Sequence, residues 1–271
     1  MKFHLPFIYL SFQVLFSTMN NKLFFIPLFT LSILFFGSTV SAERKLIFPN
    51  DPWPPFMLGK EGSESTEGIG VDLMRAIFDR IDGVSVQIPL VPWKRALNLV
   101  EQGKADAIPL LYKTAERELV MDFSDALFPS QDLVWYSKSY FPNGLEWQVT
   151  DDFIPYTMGV VTGYNYSKEI DRAIADNIIK TVKVKNVKQL LTTLAGGRID
   201  VAIANKVVGA ALTKKEFKNR NIVSMKKPIA EDNYYMAFSK KTSARELLPK
   251  INKVISDLKA EGLIENIVYG D

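Results

Sequence analysis

A pattern of helix, glycine, basic residue and aspartate occurs twice in this chain, and it limits the possible folds more than any other feature. The two copies are LNLVEQGKADAIPL at residues 97–110 and LTTLAGGRIDVAIA at residues 191–204, ninety-four positions apart. In each copy a helix ends at a glycine, and an apolar strand begins after an aspartate. A glycine just past a helix end adopts the left-handed conformation that closes the helix. The repeat predicts two similar α/β lobes with a ligand cleft between them, since open α/β sheets bind ligands beyond the carboxyl ends of their strands.

Apolar strand patterns alternate with amphipathic helix patterns through the rest of the chain. This alternation predicts an α/β fold in which each lobe has a mostly parallel sheet flanked by helices. Residues 142–144 (PNG) interrupt the pattern, and residues 233–239 (NYYMAFS) read as a strand that returns to the first lobe. We therefore expect lobe 1 to comprise residues 43–138 and 233–271, and lobe 2 to comprise residues 139–232.

The first 42 residues have the pattern of a secretory signal. They contain no acidic residue, and from Met19 onward they show a short basic start at Lys22, an apolar run over residues 23–36 and small residues up to Ala42. We expect translation to start at Met19 and cleavage to follow Ala42, although an uncleaved membrane anchor is the alternative. The mature chain then has 229 residues, enough for one large or two small domains.

The composition of the mature chain excludes several classes of function. There is no cysteine, and the only histidine, His4, lies in the signal, so disulfides, thiolate metal sites and histidine general bases are excluded. Removal of Lys2 and Lys22 leaves a net charge of +1, which gives no reason to expect nucleic acid as a partner. No metal or cofactor motif occurs. These features favour a binding protein over an enzyme, and a secreted chain without disulfides fits the Gram-negative periplasm.

Arg117 is the first candidate for a ligand contact. It follows the strand that ends the first repeat, and this location predicts that it lies at the rim of the cleft. A guanidinium offers a planar set of donors that matches a carboxylate, and it stays charged when partly buried. The alternative is a surface arginine paired with Glu116 or Glu118.

Aromatic and polar residues follow other strands at the same predicted edge. Aromatic rings there can stack on a ligand or cover a cation. Residues at the start of a helix in lobe 2 can hold an anion with free backbone N–H groups. The candidates are Trp53, Phe56 and Trp93 in lobe 1, and Gly163, Tyr164, Asn165 and Asn205 in lobe 2.

Five segments resemble those of the family 3 periplasmic solute-binding proteins, the polar-amino-acid receptors of ABC importers. The segments are PWPPF (52–56), GIGVDL (68–73), EQGKADAI (101–108), TAEREL with FSD (114–125) and GGRIDVAI (196–203). The resemblance covers essentially all of residues 43–271. It implies a type II periplasmic binding fold with hinge strands near residues 133–138 and 233–239, and ligand capture by closure of the hinge.

The resemblance also implies roles for individual residues. Arg117 matches the arginine that holds the ligand α-carboxylate, and Trp53 and Trp93 match positions that pack against the ligand. The chain departs from the pattern at three positions. Leu110 and Tyr112 stand where small hydroxyl or backbone-exposing residues precede the arginine, and Asn205 stands where an aspartate pairs with the α-ammonium.

A buried ammonium without a carboxylate partner is costly. From Asn205 we therefore expect an acidic or aromatic small molecule, or an atypical amino acid, rather than a standard α-amino acid. The predicted function is that of a monomeric solute-binding protein that captures a small, carboxylate-bearing ligand without a cofactor. It delivers the ligand to an inner-membrane ABC permease or reports it to a sensor. A dehydratase-like periplasmic enzyme on the same scaffold is the alternative.

Overall fold

The computed structural model describes residues 43–270, and the predicted signal lies outside the described residues, as do its start at Met19 and its cleavage after Ala42. Strands and helices alternate over most of this length. In chain order they are β1 (Arg44–Ile47), α1 (Ile69–Phe78), β2 (Val84–Gln87), α2 (Trp93–Glu101), β3 (Ala107–Leu111), α3 (Ala115–Glu118), β4 (Met121–Phe123), β5 (Phe128–Ser137), β6 (Met158–Val161), α4 (Lys168–Ala175), β7 (Thr181–Val184), α5 (Val187–Ala195), β8 (Val201–Asn205), α6 (Lys206–Glu216), β9 (Ile222–Ser224), β10 (Ala230–Ser239), α7 (Leu248–Ala260) and α8 (Leu263–Tyr269).

The strands form a two-stranded sheet, β1-β2, and a larger sheet in the order β3-β10-β5-β8-β6-β7, with β4 on β10 and β9 on β5. The two-lobe α/β prediction is confirmed. We call β1–β4 with α1–α3, α7 and α8 lobe 1, and β6–β9 with α4–α6 lobe 2. None of the helices within residues 43–270 is both long enough and apolar enough to cross a membrane.

Strands β5 and β10 belong to both lobes. Their first halves pair with each other, from Ala230 opposite Asp132 to Tyr234 opposite Phe128. The second half of β5 then pairs with β8 and β9 in lobe 2, and the second half of β10 pairs with β3 and β4 in lobe 1. The predicted lobe boundaries, after residues 138 and 232, fall just beyond the end of β5 and inside β10, and they stay a prediction.

The expectation of mostly parallel sheets applies to only part of the fold. The pairs β1-β2, β6-β7 and β6-β8 are parallel, but every pairing of β5 and β10 is antiparallel. The physical reason is the path of the chain. It enters lobe 2 along β5 and returns along β10 in the opposite direction, so these two strands must run antiparallel to each other.

The repeated sequence forms the same local structure twice. Helix α2 is followed by Gly103 (φ 73°) and helix α5 by Gly197 (φ 66°), as a left-handed helix end requires. The backbone N–H of Ile47 donates to Oδ2 of Asp106 at 2.9 Å, and the backbone N–H of Asp106 donates to the carbonyl of Ile47 at 2.9 Å. Asp106 therefore ties the start of β3 to the end of β1. Asp200 makes the same pair of bonds with Thr157, at 2.7 and 2.9 Å, and ties the start of β8 to the start of β6.

Amphipathic helices cover the sheets and supply the core. Helix α1 buries Val71, Met74, Ile77 and Phe78, the residues spaced for one apolar face. Residues Ser243–Leu247 form a 3₁₀ turn, and α7 begins at Leu248 with its proline in the first helical turn, where the missing N–H is not needed.

Candidate ligand-binding site between the lobes

A cavity of about 50 Å³ lies between the lobes, at the carboxyl ends of β1, β3, β6 and β8. This position agrees with the rule that open α/β sheets bind ligands beyond the carboxyl ends of their strands. Both lobes contribute to its wall. The lining residues are Asn50, Asp51, Trp53, Trp93, Leu110, Leu111, Tyr112, Arg117, Asp132, Tyr164, Asn165, Asn205 and Tyr234.

Arg117 lies on this wall and not on the protein surface. Thr114 caps the short helix α3 by accepting a hydrogen bond from the backbone N–H of Arg117, which fixes the position of that residue. The Arg117 side chain is only 8% exposed, and its Nη1 donates to the carbonyl of Tyr112 at 2.8 Å. Among residues 43–270 it forms no salt bridge. Burial lowers the pKa of Arg117 to about 10, so the guanidinium still carries its charge at neutral pH.

Two buried carboxyl groups share the cavity with Arg117. Asp51 is 3% exposed and follows β1, whereas Asp132 is 5% exposed and lies on β5. Burial removes each carboxylate from water and so disfavours its charged form, which raises the pKa of each to about 7. The cavity therefore contains one permanent positive charge and two carboxyl groups that titrate near neutral pH.

Aromatic rings form much of the remaining wall. Tyr112 and Tyr234 stack with their centroids 4.7 Å apart, and Trp53 meets Tyr234 edge-on at 5.6 Å. Trp93 from lobe 1 meets Tyr164 from lobe 2 edge-on at 5.6 Å. Burial raises the pKa of all three tyrosines, so their hydroxyl groups stay neutral and act as hydrogen-bond donors or acceptors.

Asn205 lies on the cavity wall, but its amide bonds to the protein. Its Nδ2 donates to Oγ of Ser130 at 2.7 Å, and its Oδ1 accepts from the backbone N–H groups of Val207 (3.0 Å) and Val208 (3.3 Å) at the start of α6. Ser130 also shares a hydrogen bond of 2.9 Å with the hydroxyl of Tyr112. Asn205 thus caps a helix of lobe 2 and links it through β5 to lobe 1.

The structure places eight of the ten residues predicted for the site on the cavity wall: Trp53, Trp93, Leu110, Tyr112, Arg117, Tyr164, Asn165 and Asn205. Phe56 is not among them. It is 1% exposed and packs between Trp53, with ring centroids 4.6 Å apart, and Phe128, at 6.0 Å. The same apolar loop that brings Trp53 to the cavity buries Phe56 behind it.

Gly163 is also outside the cavity lining. Its carbonyl oxygen accepts a hydrogen bond from Nε1 of Trp93 at 3.0 Å, so it contributes a contact between the lobes. The prediction that Tyr164 and Asn165 lie at the start of a helix is wrong. Helix α4 begins at Lys168, where Ser167 supplies the cap, and Tyr164 and Asn165 belong to the preceding loop. No helix N-terminus therefore faces the ligand space from these residues.

Five lining residues were not predicted: Asn50, Asp51, Leu111, Asp132 and Tyr234. Asn50 and Asp51 lie in the loop that follows β1, so the strand-end rule used for the aromatic residues also applies to them. Asp132 is the one acid of β5 (FPSQDLVWYS), and the sequence of this strand does not say which face the acid occupies. Tyr234 lies in the return strand NYYMAFS, whose register depends on pairing with distant strands.

The premise behind the expectation of an atypical ligand does not hold. That expectation assumed that Asn205 left no carboxylate to pair with a ligand ammonium. The cavity contains two carboxyl groups, and one of them, Asp132, is the direct cross-strand partner of Asn205 in the β5-β8 pairing. Directly opposed residues in a sheet point to the same face, with Cβ atoms about 4.5–5.5 Å apart.

Known proteins share both the sequence pattern and the fold. A "Probable histidine-binding protein" from Neisseria gonorrhoeae is 26% identical over 168 residues, which are 61% of this chain and 60% of that protein. An ancestral arginine-binding protein bound to arginine superposes with a TM-score of 0.68 at 24% identity, over 82% of this chain and 96% of that one.

A histidine kinase sensor domain with similarity to periplasmic binding proteins superposes with a TM-score of 0.70 at 18% identity, over 84% of this chain and 95% of that one. These two structural similarities concern the fold alone. The family comparison says more than the fold. The sequence profile of the bacterial extracellular solute-binding proteins, family 3, matches residues 47–269 of this chain. The chain therefore belongs to the bacterial extracellular solute-binding proteins of family 3.

Proposed function

We propose that this protein binds a small α-amino acid in the cavity between its lobes. Arg117 holds the ligand carboxylate, and Asp132 holds the α-ammonium. The observation that carries the proposal is the presence of one buried guanidinium and buried carboxyl groups on the wall of a single cavity. A zwitterion satisfies such a wall better than a purely anionic ligand does, because a buried charge is stable only when it is paired.

The β5-β8 pairing supports the role of Asp132. The resemblance to solute-binding proteins assigns the ammonium to an aspartate at the position of Asn205. Here Asp132 lies directly opposite Asn205 on the neighbouring strand. The negative charge is thus displaced by one strand, while the amide of Asn205 caps α6. The ligand's ammonium keeps a carboxylate partner on the same face of the sheet.

Isothermal titration against a panel of L-amino acids tests the proposal. We expect at least one to bind, and we expect Arg117→Met to weaken its binding about 30-fold or more, because truncation leaves a buried carboxylate unpaired. Arg172→Met is the matched control, since the Arg172 side chain is 82% exposed in lobe 2. Unchanged binding by the Arg117 variant contradicts the proposal.

We propose further that β5 and β10 act as hinge strands near residues 133–138 and 233–239, and that closure brings the two lobes around the ligand. The protein acts as a monomer in the periplasm after cleavage behind Ala42, and it passes the ligand to an ABC permease or a sensor. The mass of the secreted protein tests the cleavage, and gel filtration tests the monomer. Capture of a membrane permease or sensor kinase by the ligand-loaded protein distinguishes the two partners.

The dehydratase-like enzyme is the second candidate, and one observation favours it. Two carboxyl groups with a pKa of about 7 are suited to general acid–base catalysis near neutral pH. The test is to incubate a bound hydroxy-carboxylate with the protein and to follow its loss of water by mass spectrometry. Recovery of the unchanged compound favours the binding protein, and a dehydrated product that Asp132→Asn or Asp51→Asn abolishes favours the enzyme.

A further inference from the structure

The Asp51 side chain is buried without a full set of hydrogen-bond partners. Its Oδ2 is inaccessible to solvent and accepts no hydrogen bond from any residue in the described range 43–270. The indole Nε1 of Trp53, two residues further along the same loop, also has no partner in that range. Buried polar atoms are nearly always hydrogen-bonded, because an unpaired one loses its hydration without compensation. Both residues line the ligand cavity, so a bound molecule is the natural partner.

Asp51 and Asp132 reach the cavity from different elements, the loop after β1 and strand β5. Beyond the effect of burial, Tyr164 from lobe 2 lowers the pKa of Asp51 and Glu61 raises it. For Asp132, Tyr112 lowers the pKa and Asp171 raises it. Both carboxyl groups line one cavity, and a single ligand ammonium supplies only one positive charge for the two of them.

The charges of the cavity wall do not balance for a simple zwitterion. Arg117 is the only basic residue among the lining residues of the described chain, and Asp51 and Asp132 are the two acids. An α-amino acid brings one carboxylate to Arg117 and one ammonium to Asp132. Asp51 is then left either neutral or without a partner. A second cation on the ligand removes this imbalance.

We propose that Asp51 binds a cationic side-chain group, so that the preferred ligands are amino acids with a basic side chain. This inference rests on the proposed function of the same site. An N–H of the cation donates to the unpartnered Oδ2 of Asp51. The rings of Trp53 and Trp93 line the same cavity, and aromatic faces attract cations.

Titration calorimetry of the purified protein at pH 8 tests this assignment. The basic probes are L-2,4-diaminobutyrate, L-ornithine, L-lysine and L-arginine. They were chosen to differ in side-chain length, because the small cavity is expected to admit only some of these lengths. L-Glutamine and L-glutamate are the neutral and acidic probes. We expect the best basic probe to bind about 30-fold or more tightly than L-glutamine, since an unpaired buried charge costs at least this much.

Two substitutions in the same loop distinguish an effect of the Asp51 carboxylate in the cavity from an effect of negative charge nearby. Asp51→Asn removes the proposed partner, and Glu61→Gln removes an exposed carboxylate next to it. We expect Asp51→Asn to weaken binding of the best basic probe about 30-fold while changing L-glutamine binding less than threefold. Glu61→Gln is expected to change neither. Thermal unfolding of both variants checks that they fold.

The outcomes distinguish this inference from the proposed function. If L-glutamine or L-glutamate binds as tightly as every basic probe, the inference is wrong and the amino-acid site stands. Glutamine is the informative competitor, because its amide can accept from Trp53 and donate to Asp51. If no amino acid binds, or if Arg117→Met leaves binding unchanged, the proposed function fails and the inference fails with it. The wild-type panel decides the question even if Asp51→Asn does not fold.

Discussion

The indole nitrogen of Trp93 donates a hydrogen bond of 3.0 Å to the carbonyl oxygen of Gly163, and this bond joins lobe 1 to lobe 2 across the rim of the cavity. Trp93 begins α2, directly after the strand region of β2, and Gly163 follows β6. The two residues are seventy positions apart in the chain. A direct bond between the lobes is expected to favour the closed arrangement of the proposed hinge, in which the ligand is enclosed.

Replacement of Trp93 by phenylalanine removes this bond and keeps an aromatic ring at the cavity. A neutral hydrogen bond contributes about 1 kcal/mol, so we expect the affinity for the ligand to fall about fivefold. Trp147→Phe is the matched control, because Nε1 of Trp147 donates to the carbonyl of Lys227, and both residues follow β5 and precede β10. Titration calorimetry measures both variants. An equal loss of affinity in the two contradicts a specific role for the Trp93 bond.

A charge swap between Asp132 and Asn205 tests the proposed ammonium site. We expect Asp132→Asn to weaken amino-acid binding about 30-fold or more, because the ligand ammonium loses its carboxylate partner. The double variant Asp132→Asn/Asn205→Asp returns one carboxylate to the same face of the sheet, and we expect it to recover part of the loss. Binding measurements on the wild type, both single variants and the double variant complete a cycle. No recovery in the double variant indicates that the two positions are not equivalent.

The stability of the ligand-free protein is expected to decrease as the pH rises through 7. The pKa of Asp51 and of Asp132 is about 7 in the folded protein and has an ordinary value of 3.8, so the folded state binds more protons between these two pH values. Their stabilising contribution is complete below pH 3.8 and is lost as the pH passes 7. We expect the free energy of unfolding to be about 2 kcal/mol per group lower at pH 8 than at pH 5.5.

Urea unfolding at pH 5.5 and pH 8 measures this difference. Asp51→Asn is expected to remove about half of the pH dependence, because asparagine has no proton to lose, and Asp132→Asn about the other half. Tyr164 and Tyr112, which also line the cavity, stay neutral over this range because burial raises the pKa of both. Glu61→Gln, which changes an exposed carboxylate, is expected to keep the wild-type dependence. A wild-type stability that does not change with pH contradicts the prediction.

The aspartates of the sequence repeat are expected to stabilise the fold and not to bind the ligand. Asp106→Ala leaves the backbone N–H of Ile47 without its carboxylate acceptor, and Asp200→Ala does the same to Thr157. Because a lost hydrogen bond to a charged group costs about 1.5–3 kcal/mol, we expect each variant to lower the free energy of unfolding by that amount. Asp82→Ala, an exposed aspartate in a turn, is the control. Urea unfolding gives the three values, and a loss equal to that of the control contradicts the assignment.

Much of the fold follows from local patterns in the sequence. The repeat with Gly103 and Gly197 predicts two helix-turn-strand units, because a left-handed helix end is a property of a few adjacent residues. The position of Arg117 after a strand end likewise predicts its approach to the cleft. The antiparallel pairing of β5 and β10 was not predicted, since it depends on the path of the chain between the lobes.

Part of the binding site is predicted by the sequence, and part is decided by the tertiary structure. The alternation of strands and helices, and with it the cleft, is predicted by the sequence, because hydrophobic periodicity and strand ends are local signals. The same signals predict Arg117, Trp53 and Trp93 at the edge of the cleft. The tertiary structure alone decides that Asp132 faces the cavity, that Asn205 caps a helix and that Phe56 is buried. The physical reason is that burial and cross-strand register arise from contacts between distant residues, such as Asn205 and Ser130, seventy-five positions apart.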